Sequence, residues 1–374
     1  MTTAFIGARI FDGVLLHDDA VLVIENGEVV ELAASVPAGA EVTDLGGGIL
    51  SPGLLDLQVN GGGGYMVDGR AGVQTLCAIC QTHARMGTTG ILPTLITDTF
   101  DATAHLIEAG IAAIGVQGFL GLHLEGPHLD PRRKGAHDPA LIRPMEDRDL
   151  RLLIRAAQRL PALMVTVAPS AVLPEQIEAL AAAGAVVSLG HSECTYAEAE
   201  AAIAAGARCA THLFNAMSQL GNREPGLVGA VLSHDIAAGI IADTIHVAPA
   251  TLRIALSSRP DGLFLVSDCM AAAGTDQTEF TLGGRKILRQ GGRLTLQDGT
   301  LAGADLSLPQ AVSTMVHKIG LSPEKALAMA TRAPAQVIGR EDLGQLTAGA
   351  RADLVHLSPA FDVLAVWQGG ERRV

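Results

Sequence analysis

The sequence predicts an α/β protein, a (β/α)8 TIM-type barrel with a small β-sandwich domain built from both termini. Two observations predict this fold. In the middle of the chain, short apolar segments alternate with Ala-rich helical segments, whereas both ends show period-2 alternation broken by glycine turns. Strands that alternate with helices are typical of parallel βα units, and eight such units close into a barrel. A length of 374 residues fits one large domain with a smaller one.

The two ends of the chain have the same pattern. Residues 1–50 include AVLVIENGEVVEL, and residues 344–374 include ADLVHLSPAFDVLAVWQGG, both with the alternation of half-buried strands. Two similar ends around a different middle predict one domain made from both. Residues 51–343 then form the barrel, with a β-hairpin insertion at about 276–303, where FTLGGRKILRQGGRLTLQDGTLAG alternates in the same way.

Eight apolar segments are candidate barrel strands. They are LLDLQ, GILPTL, GFLGLHL, ALMVTVA, AVVSLG, CATHLF, AGIIAD and LFLVSD. In such barrels, the residues that carry function lie at the carboxyl ends of the strands. Polar residues at these ends are therefore the candidates for a site.

The polar residues at the strand ends form an unusual set. They are Gln58, Asn60, Glu125, His191, His212, Asp243, His246 and Asp268. One such residue is usually a cap or a core hydrogen-bonding group, but several on one rim indicate a ligand, because buried charge is costly unless it is paired. Two imidazoles and a carboxylate are a standard set for catalytic zinc. Asp268 is then a candidate general base.

Composition excludes other classes of function. A formal charge of −13 disfavours nucleic acid as a partner, since binding there requires clustered Lys and Arg. We expect no membrane span, because the apolar run of residues 106–124 is interrupted by Glu108 and glycines. The N-terminal segment MTTAFIGARIFDG lacks the features of a signal peptide, and five cysteines fit free thiols, so we expect a cytoplasmic protein.

Five ordered motifs resemble one family. The segments LEGPHLDPRRKGAHDP, SLGHSECTYAEAEAAIAAGARCATHLFNAM, NREPGLVGAVL, IIADTIHV and LVSDCMAAAGT are similar to those of N-acetylglucosamine-6-phosphate deacetylases, in the amidohydrolase superfamily. The resemblance covers nearly the whole chain. It implies hydrolysis of the acetamide of N-acetyl-D-glucosamine 6-phosphate to D-glucosamine 6-phosphate and acetate.

The resemblance also implies roles for single residues. Glu125, His191 and His212 match the ligands of one divalent metal per subunit, with Zn2+ the first expectation and Fe2+, Mn2+ or Co2+ as alternatives. Asp268 matches the catalytic aspartate, and His137 matches a residue near the acetyl carbonyl.

Further positions match substrate contacts of the family. They are Ala136, His137, Asn215, Ala216, Arg223, His246, Leu301, Ala302 and Gly303. Among these, Arg223 and His246 match residues that hold the 6-phosphate. One phosphate contact in the family can come from a neighbouring subunit, which implies a homodimer. His123 and His128, which flank Glu125, are expected to have no direct role, and His123 is expected to point away from Glu125.

The segment LLDLQVNGGGG departs from the two-metal members of the superfamily. Those proteins carry His-x-His at the end of the first strand, where period 2 places both imidazoles on the inner face. This chain has Gln58 and Asn60 instead, and amide oxygens are poor zinc ligands. The sequence therefore predicts one tightly bound metal.

Three alternatives remain open at this point. The first is the same reaction on N-acetylgalactosamine 6-phosphate. The second is a two-metal hydrolase of cyclic or other amides, which the absence of a lysine from ALMVTVAPS disfavours. The third, from a different class, is a non-catalytic sugar-phosphate-binding homologue, which would be expected to lose ligands and base.

Overall fold

Eight parallel strands form the centre of the molecule. The structure, a computed structural model, describes residues 2–374. The barrel strands are β1 (Leu54–Val59), β2 (Thr88–Ile96), β3 (Leu122–Glu125), β4 (Leu163–Val167), β5 (Val186–Leu189), β6 (Cys209–Ala210), β7 (Ala237–Ile240) and β8 (Leu263–Leu265). Each pairs with its neighbour in sequence order. All eight predicted segments overlap these strands, so the predicted barrel is confirmed.

The barrel closes between β8 and β1. The backbone N–H of Asp268 donates to the carbonyl of Gln58 at 3.0 Å, and the N–H of Asn60 donates to the carbonyl of Cys269 at 2.9 Å. Val59 and Cys269 form a parallel bridge. We call this junction, residues 58–60 with residues 267–269, the seam. It brings two segments that are about two hundred residues apart to one point of the rim.

Helices surround the barrel. The helices of residues 2–374 are α1 (Val73–Arg85), α2 (Phe100–Ala112), α3 (Asp147–Arg159), α4 (Pro174–Ala182), α5 (Tyr196–Ala204), α6 (Gly226–Ser233), α7 (Pro249–Ser258), α8 (Leu308–Thr314), α9 (Pro323–Ala328) and α10 (Arg332–Val337), with a 3-10 turn at Pro131–Arg133 and a π-helical segment at Met315–Ile319. Local sequence sets several helix starts: Thr195 and Glu198 form a capping box at α5, in which each side chain accepts the other's backbone N–H. The helices and strands share one apolar core.

Two sheets from the chain ends form the small domain. One contains, in spatial order, Glu28–Ala33, Val21–Glu25, Thr2–Ile6 and Glu41–Asp44; the other contains Glu371–Arg372, Val363–Gln368, Leu354–Leu357, Ile49–Pro52, Arg9–Phe11 and Leu16–His17. The two termini pair directly in the second sheet. Phe5 and Trp367 meet edge to face across the sheets, with ring centroids 5.0 Å apart. The predicted β-sandwich from both termini is confirmed, while the boundaries at residues 50 and 343 stay predictions.

An antiparallel sheet lies over part of the barrel rim. Its strands are Glu279–Leu282, Arg285–Gln290, Arg293–Thr295 and Leu301–Ala304. Met270 and Ala302 belong to its apolar cluster, which packs against Ile96 and Ala136. A short hairpin joins Gly61–Gly62 to Tyr65–Met66 nearby. Among the helices of residues 2–374, none combines the length and the apolar character that crossing a bilayer requires.

Candidate metal centre and catalytic site

A cavity of about 230 Å³ opens at the carboxyl ends of the barrel strands. Most of the predicted site residues line it: Glu125, Ala136, His137, His191, His212, Asn215, Ala216, His246, Asp268, Leu301 and Gly303. A larger cavity of about 480 Å³ lies beside it and shares Ile96, but it contains none of the predicted site residues. The predicted site residues are therefore concentrated in the smaller cavity.

Glu125, His191 and His212 form one buried cluster, which we call the ligand cluster. Glu125 Oε1 lies 3.3 Å from His191 Nε2 and 3.0 Å from His212 Nε2, and the two nitrogens lie 3.0 Å apart. Ligands of a tetrahedral zinc ion with bonds of about 2.0 Å lie about 3.3 Å from one another. The three ligand atoms therefore lie close enough together to bind one metal ion.

The protonation of the ligand-cluster side chains also suits a bound cation. His191 Nδ1 lies 2.8 Å from the carbonyl of Arg133, which only accepts, so Nδ1 carries the proton and the Nε2 lone pair faces Glu125. Burial alone would raise the pKa of Glu125, but the close imidazoles of His191 and His212 hold this pKa well below its usual value. An ionised carboxylate and an imidazole lone pair at 3.3 Å repel each other unless a positive charge lies between them. These donors therefore fit a divalent ion.

Two imidazoles and one carboxylate of the site belong to residues with strained backbones. His191, His212 and Asp268 have φ angles of 44°, 31° and 50°, in the left-handed region that L-residues rarely adopt. Each conformation costs roughly 1–3 kcal/mol and persists only where the surrounding fold imposes it. All three follow barrel strands, where the turn aims the side chain into the cavity.

Asp268 is a buried carboxyl at the seam. Its Oδ1 accepts a hydrogen bond of 2.7 Å from Asn60 Nδ2. Burial, and then the nearby charge of Glu125, raise the pKa of Asp268 to about 6. A carboxylate with such a pKa can take a proton and give it back near neutral pH, which a general base that later acts as an acid must do.

His137 is held by Thr97. The backbone N–H of Thr97 donates to His137 Nδ1 at 3.2 Å, and the Thr97 hydroxyl lies 2.8 Å from the same nitrogen. Nδ1 is therefore the acceptor, and the neutral ring carries its proton on Nε2. Burial lowers the pKa of His137 to about 3, which keeps the ring neutral. Its Nε2 lies 3.8 Å from Glu125, so the N–H is presented beside the ligand cluster.

His246 is oriented by Asp243. Its Nδ1 donates to the carboxylate at 2.6 Å, and Asp243 also accepts the backbone N–H groups of Ile245 and His246 at 2.7 Å. Burial tends to raise the pKa of Asp243, but these hydrogen bonds leave it lowered. His246 lines the cavity.

The two amides of the first strand contact the two carboxylates of the site. Gln58 Nε2 donates to Glu125 Oε1 at 3.0 Å, while Asn60 Nδ2 donates to Asp268. Sequence reasoning treated both amides only as missing metal ligands. It also missed Thr97 as the partner of His137, and although it placed Asp243 on the rim, it gave that residue no partner. Period 2 signalled that Gln58 and Asn60 face inward, but not what they meet.

Some predicted residues lie elsewhere. Arg223 is exposed and does not line the cavity of its own chain. Ala302 is fully buried within the sheet over the rim, and its neighbours Leu301 and Gly303 line the cavity instead. His128 and His123 stay outside the cavity lining, yet His123 points into the barrel, where Nε2 contacts Thr166 at 2.7 Å. The expectation that His123 points away from Glu125 is wrong, because residues two apart on a strand share a face.

The fold and the ligand cluster define a parallel α/β barrel with a candidate single-metal centre at its carboxyl rim. A family model described as the amidohydrolase family matches residues 49–373, and the chain belongs to that family. It is 39% identical to an N-acetylgalactosamine-6-phosphate deacetylase of Shewanella sp. (strain ANA-3), over 98% of this chain and 94% of that protein.

Two further comparisons agree with this family. The chain is 34% identical to an N-acetylglucosamine-6-phosphate deacetylase of Haemophilus influenzae, over 96% of this chain and 95% of that protein. The crystal structure of N-acetylglucosamine-6-phosphate deacetylase from Pasteurella multocida superposes with a TM-score of 0.96 at 33% identity, covering 100% of this chain and 99% of that one.

Proposed function

We propose that this protein hydrolyses the acetamide of N-acetyl-D-glucosamine 6-phosphate, releasing D-glucosamine 6-phosphate and acetate. One observation carries the proposal: a set of metal ligands, a neutral imidazole N–H and a carboxylate of raised pKa line one small cavity. Full-length relatives named as deacetylases of 6-phosphorylated N-acetyl amino sugars support it. A non-catalytic homologue has no need to keep Asp268 buried beside the ligand cluster.

The ligand cluster would hold one divalent cation. Glu125, His191 and His212 suit Zn2+, and Fe2+, Mn2+ or Co2+ accept the same donors. When bound, such an ion polarises a carbonyl group and lowers the pKa of a water molecule from 15.7 to about 7. Gln58 and Asn60 point their N–H groups at carboxylates, and this supports one ion rather than two.

The chain's own groups then have separate roles. His137 donates its Nε2–H to the acetyl carbonyl oxygen and stabilises the charge that develops there. Asp268 takes a proton from the attacking water as the new C–O bond forms. It then gives this proton to the nitrogen as the C–N bond breaks, so that the products are a neutral amine and acetic acid, which ionises. One carboxylate serves both steps.

The 6-phosphate would be held by His246 and by an arginine. His246 lines the cavity, whereas Arg223 is exposed on its own chain. We therefore propose a homodimer in which Arg223 of the partner subunit completes the phosphate site. The acidic chain needs such a local cationic group to bind an anion. The cytoplasmic location expected from the sequence stays a prediction, supported by five free thiols.

Replacement of Arg223 tests the phosphate site. Arg223→Ala should weaken kcat/KM for the phosphorylated sugar by roughly 10–100-fold, the worth of a hydrogen bond to a charged group. Activity on unphosphorylated N-acetylglucosamine should stay unchanged. Asn222→Ala, which alters an exposed neighbour, is the matched control. Equal losses on both sugars would remove Arg223 from this role.

The galacto epimer is a second candidate substrate, because the Shewanella relative bears that name. An acetate-release assay on both 6-phosphate epimers, with metal content measured on the same preparation, tests the function. We expect acetate release with the higher kcat/KM on the gluco epimer. A higher value on the galacto epimer would reverse that choice. No acetate from either epimer, with the metal present, would overturn the proposal.

A further inference from the structure

The Asn60 side chain has a fixed orientation. Its backbone N–H and carbonyl are paired with Cys269 at 2.9 Å and Val67 at 2.8 Å, and only 1% of the residue is exposed. Asn60 Nδ2 donates to Asp268 Oδ1 at 2.7 Å. Because an ionised carboxylate only accepts, the amide nitrogen must face Asp268 and the amide oxygen must face away from it.

The other end of this amide has no partner. Among residues 2–374, Asn60 Oδ1 is one of few buried side-chain atoms without a hydrogen bond, and Asn60 lines the catalytic cavity. An unpaired buried acceptor costs roughly 1–3 kcal/mol, so a molecule bound in the cavity that pairs with Asn60 Oδ1 would recover this energy. That molecule must present an N–H or O–H to Asn60 Oδ1.

The order of the strands indicates which group of the substrate pairs with Asn60 Oδ1. The ligand cluster follows β3, β5 and β6, whereas Asn60 and Asp268 lie at the seam of β1 and β8, across the cavity. A secondary amide is planar and trans, so its carbonyl and its N–H point in opposite directions. A carbonyl oxygen directed at the ligand cluster and His137 therefore turns the N–H toward the seam.

We propose that Asn60 is a positioning residue with two functions: its Nδ2–H fixes Asp268, and its Oδ1 accepts the N–H of the substrate's acetamide. The nitrogen that has to receive a proton is thus placed beside the group that supplies it. Specificity for amides over esters follows, because an ester has no N–H to pair with Oδ1. This inference rests on the proposed function of the site.

The test compares an amide with an ester. The substrates are N-acetylglucosamine 6-phosphate and glucose 6-phosphate acetylated on O2, in which oxygen replaces N–H. In Asn60→Ala, both values of kcat/KM should fall because Asp268 is less well held. The amide should fall by about tenfold more than the ester, the worth of one further hydrogen bond. Thr89→Ala, which removes another buried unpaired atom at a residue that does not line the cavity, should leave the ratio unchanged.

Two outcomes distinguish this inference from the proposed function. Wild-type protein that releases no acetate from the amide would contradict the function itself. Active wild-type protein with an equal loss on both substrates in Asn60→Ala would overturn the inference alone. A crystal structure of the wild-type protein with glucosamine 6-phosphate and acetate decides the point if the variant does not fold. The product nitrogen should lie within about 3.2 Å of Asn60 Oδ1, and a nitrogen elsewhere overturns the inference.

Discussion

The ligand cluster and the seam face each other across the same cavity, and they are built differently. In the ligand cluster, Glu125 and two imidazoles converge within 3.0–3.3 Å with no proton donor between Glu125 and His191 Nε2. At the seam, Asp268 is paired with the neutral N–H of Asn60 at 2.7 Å. The first arrangement requires a cation, whereas the second leaves a carboxylate free to exchange a proton.

The difference follows from what an amide can donate. Gln58 and Asn60 occupy the positions where two imidazoles would offer lone pairs to a second ion. Their N–H groups instead point at Glu125 and Asp268. These two amides thus hold both carboxylates in place. We propose that the two sides have separate roles, with charge stabilisation at the ligand cluster and proton transfer at the seam.

Removal of a ligand should have the largest effect. His191→Ala should lose the metal and lower kcat/KM by about 10³-fold or more, since a metal contributes several kcal/mol to the transition state. Elemental analysis measures the metal content, and acetate release measures kcat/KM. His234→Ala, a partly exposed histidine paired with Glu200, should keep metal and activity. Full metal content in His191→Ala would contradict the assignment of metal binding to the ligand cluster.

Removal of the base should have the next largest effect. Asp268→Asn should lower kcat by about 10²–10⁴-fold, because an amide cannot take the water's proton. The metal should remain, since no metal ligand has changed, and substrate should still bind, as calorimetry can show. A near-normal kcat would assign proton transfer to another group.

Gln58 connects the seam to the ligand cluster through its hydrogen bond to Glu125. Gln58→Leu removes the N–H that holds Glu125 and should weaken metal affinity by about 10–100-fold, the usual effect of losing a partner of a metal ligand. Competition with a chelator measures this affinity. Gln81→Leu, on the exposed face of α1, is the matched control. Unchanged affinity in Gln58→Leu would show that the two sides are independent.

The pH dependence should show the smallest effect. Burial raises the pKa of Asp268 to about 6, and the base acts only when it is ionised. Below this pKa, kcat/KM should therefore fall by about tenfold for each pH unit. A cation at Glu125 removes part of the charge that raises this pKa, so the midpoint should lie at or below 6. A profile that is flat from pH 7 to pH 4 would contradict the role of Asp268.

The sequence was sufficient to predict the barrel and the residues that carry charge at its rim. The eight strands are apolar runs, and residues such as His191, His212 and Asp268 interrupt this pattern where each run ends. Because the carboxyl ends of parallel strands meet at one rim, these residues could be placed together without coordinates. Their roles came from the resemblance to a family.

Pairings between distant segments could not be predicted in this way. Asn60 and Asp268 are 208 residues apart, and they meet only because the barrel closes in one register. Thr97 and His137 meet through a loop whose path no periodicity describes. Ala302 turns away from the cavity because alternate residues of its strand face opposite sides. These details depend on tertiary packing, so they appear only in the structure.

Metal stoichiometry tests the central claim most directly. Fully active protein should contain one divalent ion per chain by elemental analysis, and anomalous scattering should place it among Glu125, His191 and His212. Two ions per chain, or an active protein with none at these three residues, would contradict the division between the ligand cluster and the seam.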